Sequence, residues 1–333
     1  MDTPEKKILK DTFGREVSYL RLSVTDRCNL RCKYCMPEKM KFVPREQVLT
    51  LEEIYILASV FVDLGVNSIR LTGGEPLIRK NILWLVKALS ELNYLKELTL
   101  TTNGIKLPML AGSLKTAGLS RINISLDSLR PQRFSEITRV GELEQVLKGI
   151  EAAIDAKFNK IRLNAVIQKG FNDDEVSDLV NFSIDKGLDI AFIEEMPLGD
   201  ISSHQRNSTQ ITGFSLREQL SEKFNLQLSD HRTAGPSKYY SIANSETKVG
   251  FISPISDNFC GSCNRVRLTS EGRLLLCLGN ENSIDLRAII RQNFNNKSAL
   301  KKAIREALTL KPERHYFDPN KTEIVRFMNM TGG

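Results

Sequence analysis

The sequence predicts an α/β fold, an incomplete (βα)6 barrel followed by a C-terminal extension, on two observations. From the N-terminus to about residue 234, segments of strand length alternate six times with segments of helical periodicity, the pattern of a parallel sheet with crossover helices. Within those strands one parity is polar and the other apolar, whereas a closed eight-stranded barrel packs its interior with branched aliphatics.

In chain order the predicted strands are 17–24, 66–72, 97–101, 121–126, 160–166 and 189–196. The helix predicted over 51–64 shows how sharply the boundaries are marked. Thr50 and Glu53 have the spacing of a capping box at its start, and Gly65 stands where a helix ends. After about Ala234 the pattern changes to short segments and a basic terminal helix, with no internal repeat or low-complexity linker. The chain of 333 residues is therefore divided into a core partial barrel, 11–234, and an extension, 235–333.

The apolar parity, Leu20, Leu22 and Val24, Ile69 and Leu71, Leu98 and Leu100, Ile122 and Ile124, Ile161 and Leu163, is the face that helices must cover. That turns the polar parity inward: Arg21 and Ser23, Ser68, Arg70 and Thr72, Thr99 and Thr101, Asn123, Ser125 and Asp127, Arg162 and Asn164. Three inward arginines, Arg21, Arg70 and Arg162, need anions. Inward carboxylates would satisfy them, and so would a bound polyphosphate through bidentate, charge-assisted bonds.

All six cysteines fall in two groups of three, Cys28, Cys32 and Cys35, then Cys260, Cys263 and Cys277. Three closely spaced thiolates can hold three corners of an iron–sulfur cube and leave the fourth iron open for chemistry. On residues alone, three ordinary buried thiols or a C-x2-C redox pair with a bystander remain open for the first group. A zinc site completed by His231 or His315 remains open for the second. With no apolar signal segment at the N-terminus, the cysteines read as metal ligands in a reducing compartment, not as disulfides.

The first group follows the first strand, which places it at the C-terminal mouth of the barrel. Thr72-Gly73-Gly74-Glu75-Pro76 and Thr101-Thr102-Asn103-Gly104 end the second and third strands at the same mouth. Each reads either as a ligand-binding loop or as a plain turn. A net charge of +7 fits an anionic partner. Its dispersal along the chain suits a phosphate-bearing small molecule as well as a nucleic acid. No apolar run approaches the ~20 residues of a membrane span, so a soluble chain is expected.

The C-x3-C-x2-C spacing with Tyr34 before the last cysteine resembles the radical S-adenosylmethionine superfamily. More narrowly, the chain resembles the GTP 3′,8-cyclase family of molybdenum cofactor biosynthesis, from about residue 11 to the end. The motifs that carry this are Asp11-x-Phe13-Gly14-Arg15, Tyr19 through Asn29, Gly73-Gly74-Glu75-Pro76, Thr101-Thr102-Asn103-Gly104, Ser125-Leu126-Asp127-Ser128-Leu129, Met196-Pro197-Leu198-Gly199, Phe251-Ile252-Ser253-Pro254, Cys263-Asn264-Arg265-Val266-Arg267 and the final Gly332-Gly333.

The resemblance implies that Cys28, Cys32 and Cys35 hold a [4Fe–4S] cluster that binds S-adenosylmethionine, contacted by Tyr34, Gly74, Ser125 and Met196. It implies that Cys260, Cys263 and Cys277 hold a second [4Fe–4S] cluster facing the guanine of GTP. Arg21, Arg70, Thr101, Arg162, Arg265, Val266 and Arg267 would line the GTP pocket, with Gly332 and Gly333 threading back to support catalysis. Where Arg162 stands the family usually has Lys, which keeps the charge and alters the reach. Gly279 stands where the family has Phe after Cys-Leu, altering the wall beside the second cluster.

The implied reaction is reductive cleavage of S-adenosylmethionine to a 5′-deoxyadenosyl radical, hydrogen removal from C3′ of GTP and attack of that carbon on C8. The product is 3′,8-cyclo-7,8-dihydro-GTP. The implied partners are a one-electron donor such as a flavodoxin and the cyclic pyranopterin monophosphate synthase that takes the product. No nucleic acid and no membrane are expected, a homodimer is admitted, and the location is cytoplasmic. Two rival classes remain. A peptide-modifying radical enzyme predicts more C-terminal cysteines. A basic zinc protein that binds nucleic acid predicts basic residues interleaved with aromatics on one face.

Overall fold

Alternating polarity decides which side of each strand meets the helices, and that side sets the sheet. The computed structural model describes residues 8–201, 204, 206–292, 296–317 and 324–332. Its first six strands are β1 Tyr19–Ser23, β2 Ser68–Thr72, β3 Glu97–Thr102, β4 Arg121–Ser125, β5 Lys160–Val166 and β6 Asp189–Ile193. They pair in parallel and in sequence order. Helices Leu51–Asp63, Ile82–Ser90, Leu107–Thr116, Leu143–Asp155 and Val176–Asp185 make the crossovers.

The register puts Leu20 beside Ile69 and Leu22 beside Leu71, then Leu71 beside Leu100 and Leu100 beside Ile122. All are fully buried in the core shared with the helices, each contributing ~1.5–3 kcal/mol. Thr50 and Glu53 form the full capping box of the first helix. The sixth strand stops at Ile193, short of the predicted 196. There the buried Glu194 carboxylate accepts the N–H of Gly213 (2.7 Å), Ile255 (3.2 Å) and Ser256 (3.1 Å), drawing the chain into loop contacts.

The sheet is wider than the six predicted strands. The chain after β6 adds β7 Gln227–Leu228, still within the core span, and then, in the extension, β8 Lys238–Ser241, β9 Lys248–Ile252, β10 Arg265–Leu268, β11 Arg273–Leu275 and β12 Ser283–Asp285. They complete a twelve-stranded order β12-β11-β10-β1-β2-β3-β4-β5-β6-β9-β8-β7. β9 lies parallel to β6 and β10 parallel to β1, so the extension covers both edges that a six-stranded sheet would expose. Val249, Phe251, Val266, Leu268, Leu274 and Ile304 join the same core as the barrel strands. Outside, Arg291 grips both carboxylate oxygens of Glu53 at 2.7 and 3.1 Å, fastening the extension to the first helix.

Candidate active site and metal centres

β1 runs straight into the first cysteine loop, and the strand-ending loop of β2 holds that loop in shape. Gly74 N donates to Thr25 O at 2.8 Å and Glu75 N to Arg27 O at 2.8 Å. A Cβ on Gly73 would overlap the Thr25 carbonyl and one on Gly74 the Arg27 carbonyl. The two glycines are thus needed first for backbone packing against the cysteine loop. Glu75 is likewise committed to the fold: its buried carboxylate accepts from Leu77 N (2.9 Å), Thr102 Oγ1 (2.8 Å) and Asn103 N (2.7 Å).

Within the loop, Cys28 Sγ accepts from Leu30 N at 3.3 Å, and Asn103 Nδ2 approaches it at 4.0 Å. The Asn329 backbone N–H points at Cys35 Sγ. Burial pushes the Cys28 thiol up to about 11 and Cys35 up to about 12, and lifts Cys32 well above its ordinary value. Tyr34 donates its hydroxyl to Asp127 Oδ2 at 2.8 Å, while Asp127 Oδ1 takes Val166 N at 2.8 Å.

The second cysteine group lies at the other end of the barrel. Cys260 and Cys263 precede β10, which enters the sheet parallel to β1, and Cys277 follows β11, which runs antiparallel to β10. The Asp11–Arg15 turn holds this end together. Arg15 bonds Asp11 Oδ2 (2.6 Å), Cys260 O (2.9 Å), Pro312 O (2.6 Å) and Glu313 O (2.5 Å). Buried Lys311 donates to Leu276 O (2.7 Å) and Arg265 O (3.2 Å), with Nζ 3.6 Å from Cys263 Sγ. Burial opposes ionisation of Cys263, but Lys311 and Arg265 outweigh it and hold that thiol below its usual range. Burial raises Cys277.

The histidines do not complete a zinc site here. His315 Nε2 bonds Pro254 O at 2.6 Å and Nδ1 takes Phe317 N at 3.3 Å, which uses both ring nitrogens. His231 packs edge-on to Tyr239 with centroids 4.8 Å apart. Among the described residues no three His, Cys, Asp or Glu side chains are spaced to share one ion. A cubane takes one thiolate per iron and spreads its three ligands wider than a single ion does, so the two all-thiol sets suit a cluster better than zinc.

One cavity joins the two groups. It has about 2020 Å³ of unfilled space, open mouth included. All six cysteines line it, as do Tyr34, Gly74, Ser125, Met196, Arg21, Arg70, Thr101, Arg162, Arg265 and Arg267. Val266 reaches the cavity wall too, but its side chain belongs to the core, so it offers the cavity its backbone.

The arginines form a belt between the cysteine groups. The register sets Arg21 beside Arg70 on one side and beside Arg267 on the other. Among the described residues, Arg70, Arg162, Arg265 and Arg267 make no ion pair with a carboxylate. Burial pulls Arg21 down to about 10 and Arg267 well below its ordinary value, with neighbouring arginines adding to the effect. Buried guanidiniums without a carboxylate, as at Arg70, Arg162, Arg265 and Arg267, are costly until an anion enters.

The tail enters this space. Gly332 O accepts from Arg21 Nη2 at 3.1 Å and Arg267 Nη1 at 3.2 Å, and Asn329 Nδ2 donates to Asp26 O at 2.9 Å. At Gly332 φ is +82° and a Cβ would overlap Thr72 Oγ1. Gly333 lies outside the described residues.

Four contributors went unmarked in the sequence reading. Tyr19 had a signal, sharing the inward parity of Arg21. Lys311, Tyr239 and the clamp role of Arg15 had none, because each depends on pairing with residues far away in sequence.

Comparison with known proteins agrees with this geometry. The Radical SAM superfamily matches residues 22–183 and the Molybdenum Cofactor Synthesis C family residues 188–317. A curated GTP 3′,8-cyclase of Ectopseudomonas mendocina is 53% identical over 98% of both chains. That of Pseudomonas entomophila is 55% identical over 98% of both, and that of Saccharophagus degradans 52% identical over 99% of this chain and 100% of its own. The fold is also that of the crystal structure of Streptococcus suis SuiB bound to S-adenosylmethionine, at TM-score 0.61 and 17% identity over 95% of this chain and 78% of that one. Identity above half with full-length relatives decides the matter: this chain belongs to the GTP 3′,8-cyclase family of radical S-adenosylmethionine enzymes.

Proposed function

We propose that this chain converts GTP into 3′,8-cyclo-7,8-dihydro-GTP with S-adenosylmethionine, the first step of molybdenum cofactor biosynthesis. The observation that carries the reading is the single cavity with a cysteine triad at each end and an arginine belt between them. Cys28, Cys32 and Cys35 hold one [4Fe–4S] cluster and Cys260, Cys263 and Cys277 a second. Bound together, the first cluster and S-adenosylmethionine supply a 5′-deoxyadenosyl radical.

The chain's own residues bind and orient. Tyr34, Gly74, Ser125 and Met196 line the S-adenosylmethionine end, next to the first triad. Arg21, Arg70, Arg162, Arg265 and Arg267 receive the triphosphate with Thr101, and the second triad fixes the guanine. Holding GTP at both ends keeps C3′ and C8 in register, a proximity effect. The tail, through Gly332 and Gly333, supports hydrogen abstraction.

Residues 11–234 act as the core and 235–333 as the extension that supplies the second triad. An external one-electron donor such as a flavodoxin, transfer of product to the cyclic pyranopterin monophosphate synthase, a homodimer and a cytoplasmic location complete the reading. Among the described residues no helix is long and apolar enough to cross a membrane.

The test is anaerobic reconstitution with iron, sulfide and zinc analysis, followed by reaction with GTP, S-adenosylmethionine and a reductant. Two clusters per chain and deuterium passing from 3′-deuterated GTP into 5′-deoxyadenosine are expected. Stoichiometric zinc with iron at one site alone would remove the two-cluster claim, and absence of the cyclised nucleotide would remove the activity.

A further inference from the structure

Arg70 and Arg162 face the cavity from β2 and β5 and are held in the same way. Arg70 Nε donates to the Tyr19 hydroxyl at 2.5 Å and Nη1 to Thr101 Oγ1 at 3.3 Å. Arg162 Nη1 donates to the Tyr239 hydroxyl at 2.5 Å and Nε to Asn164 Oδ1 at 3.1 Å. Among the described residues each guanidinium thus has one phenol and one neutral side-chain oxygen as partners and no carboxylate. Both phenols are 1% exposed.

Tyr239 is seated for this purpose. It stands opposite Gly250 in the register of β8 and β9. A Cβ at Gly250 would overlap Ser237 Oγ and crowd the Tyr239 ring at 3.2 Å, so the missing side chain leaves room for both. A carboxylate in place of either phenol would fix the arginine equally well, but it would cancel the charge that a polyphosphate must find. A phenol accepts the hydrogen bond and leaves the charge available.

We infer that Tyr19 and Tyr239 are positioning residues that set Arg70 and Arg162 as two oriented receptors for a polyphosphate, and that Tyr239 is the partner that lets arginine serve at position 162. The inference deepens the reading of the cavity as a GTP site and rests on it for the guanine, though not for the anion.

The experiment uses the reconstituted full-length protein and titrates GTP, inorganic triphosphate and guanosine into wild type, Tyr19→Phe and Tyr239→Phe. Each variant keeps its ring, and thermal melts confirm matched folding. Loss of a hydrogen bond to a charged group predicts a roughly tenfold weaker affinity for GTP and for triphosphate, with guanosine unchanged and KM for GTP raised at little cost to kcat. In an Arg162→Lys background the Tyr239→Phe substitution should cost under about twofold, because an ammonium makes no bidentate fork to orient.

Equal losses for guanosine and triphosphate would mean that the phenols act only as core filling, and would overturn the inference. So would unchanged triphosphate affinity, or the same Tyr239→Phe cost in both backgrounds. Wild type binding triphosphate but not GTP would leave the receptors standing and remove the proposed substrate.

Discussion

Lys311 Nζ lies 3.6 Å from Cys263 Sγ while its other bonds go to the carbonyls of Leu276 and Arg265. A buried ammonium whose partners are two dipoles and a sulfur has its charge balanced only when that sulfur is a thiolate. Lys311→Met should therefore loosen metal at the second triad without touching the first. A ~10–100-fold faster loss of iron to a chelator is expected, with Lys311→Arg retaining most of it. Iron per chain and the electron paramagnetic resonance of the reduced protein report this, and equal iron retention by Lys311→Met and wild type would reject it.

The two triads should fail differently. Cys28→Ala, Cys32→Ala or Cys35→Ala should abolish release of 5′-deoxyadenosine. Cys277→Ala should weaken GTP binding and stop cyclisation while some uncoupled cleavage of S-adenosylmethionine continues. If Cys277→Ala leaves GTP affinity unchanged in a binding titration, the guanine does not meet the second centre.

Gly74→Ala places a methyl group against the Arg27 carbonyl. Overpacking of this kind costs ~1–3 kcal/mol, and here it falls on the backbone that shapes the first cysteine loop. A lower melting temperature together with iron loss confined to the first centre is expected, measured by thermal denaturation and iron analysis.

Gly332→Ala combines a disfavoured φ with overlap on Thr72 Oγ1, so the last described turn should withdraw from Arg21 and Arg267. Cluster content should hold and deuterium transfer from 3′-deuterated GTP into 5′-deoxyadenosine should drop by at least about tenfold. Transfer at the wild-type rate would show that the tail is dispensable.

Tyr19 makes affinity depend on pH. Burial raises its phenol, but Arg70, Arg21 and Arg265 outweigh burial and bring it down to about 8. As pH rises through 8 the phenolate cancels part of the charge on the belt. A bound polyphosphate drives the phenol back to its neutral form, so binding takes up a proton and weakens by up to tenfold per pH unit. Tyr19→Phe should flatten that slope. For folding the sign is opposite: a depressed phenol contributes stability present above its unfolded value and lost as pH falls through about 8.

Much of this was legible in strand parity. Arg21, Arg70 and Arg162 face the cavity because period-two alternation leaves no other side for them once Leu20, Ile69 and Ile161 are claimed by helices. The cysteine spacings were legible because ligand sets are local or nearly so. Tyr239 and Lys311 were not, since a tyrosine in a short strand and a lysine after a helix look the same whether they face water or a buried partner. The width of the sheet was hidden for a related reason: nothing in 248–252 or 265–268 states which edge each strand will join.

The edge pairing has a consequence for how the molecule assembles. β1 meets β10 across roughly 245 residues of chain, Tyr19 lying beside Arg265, whereas β1 through β5 pair with their immediate successors. Loop closure over such a span is slow relative to neighbour pairing. The six-stranded core is then expected to form first with both edges bare, open to unwanted strand addition until β9 and β10 arrive. The second cysteine triad comes together only in that last step, so metal delivered too early would meet a nascent chain with one finished site and three scattered thiols.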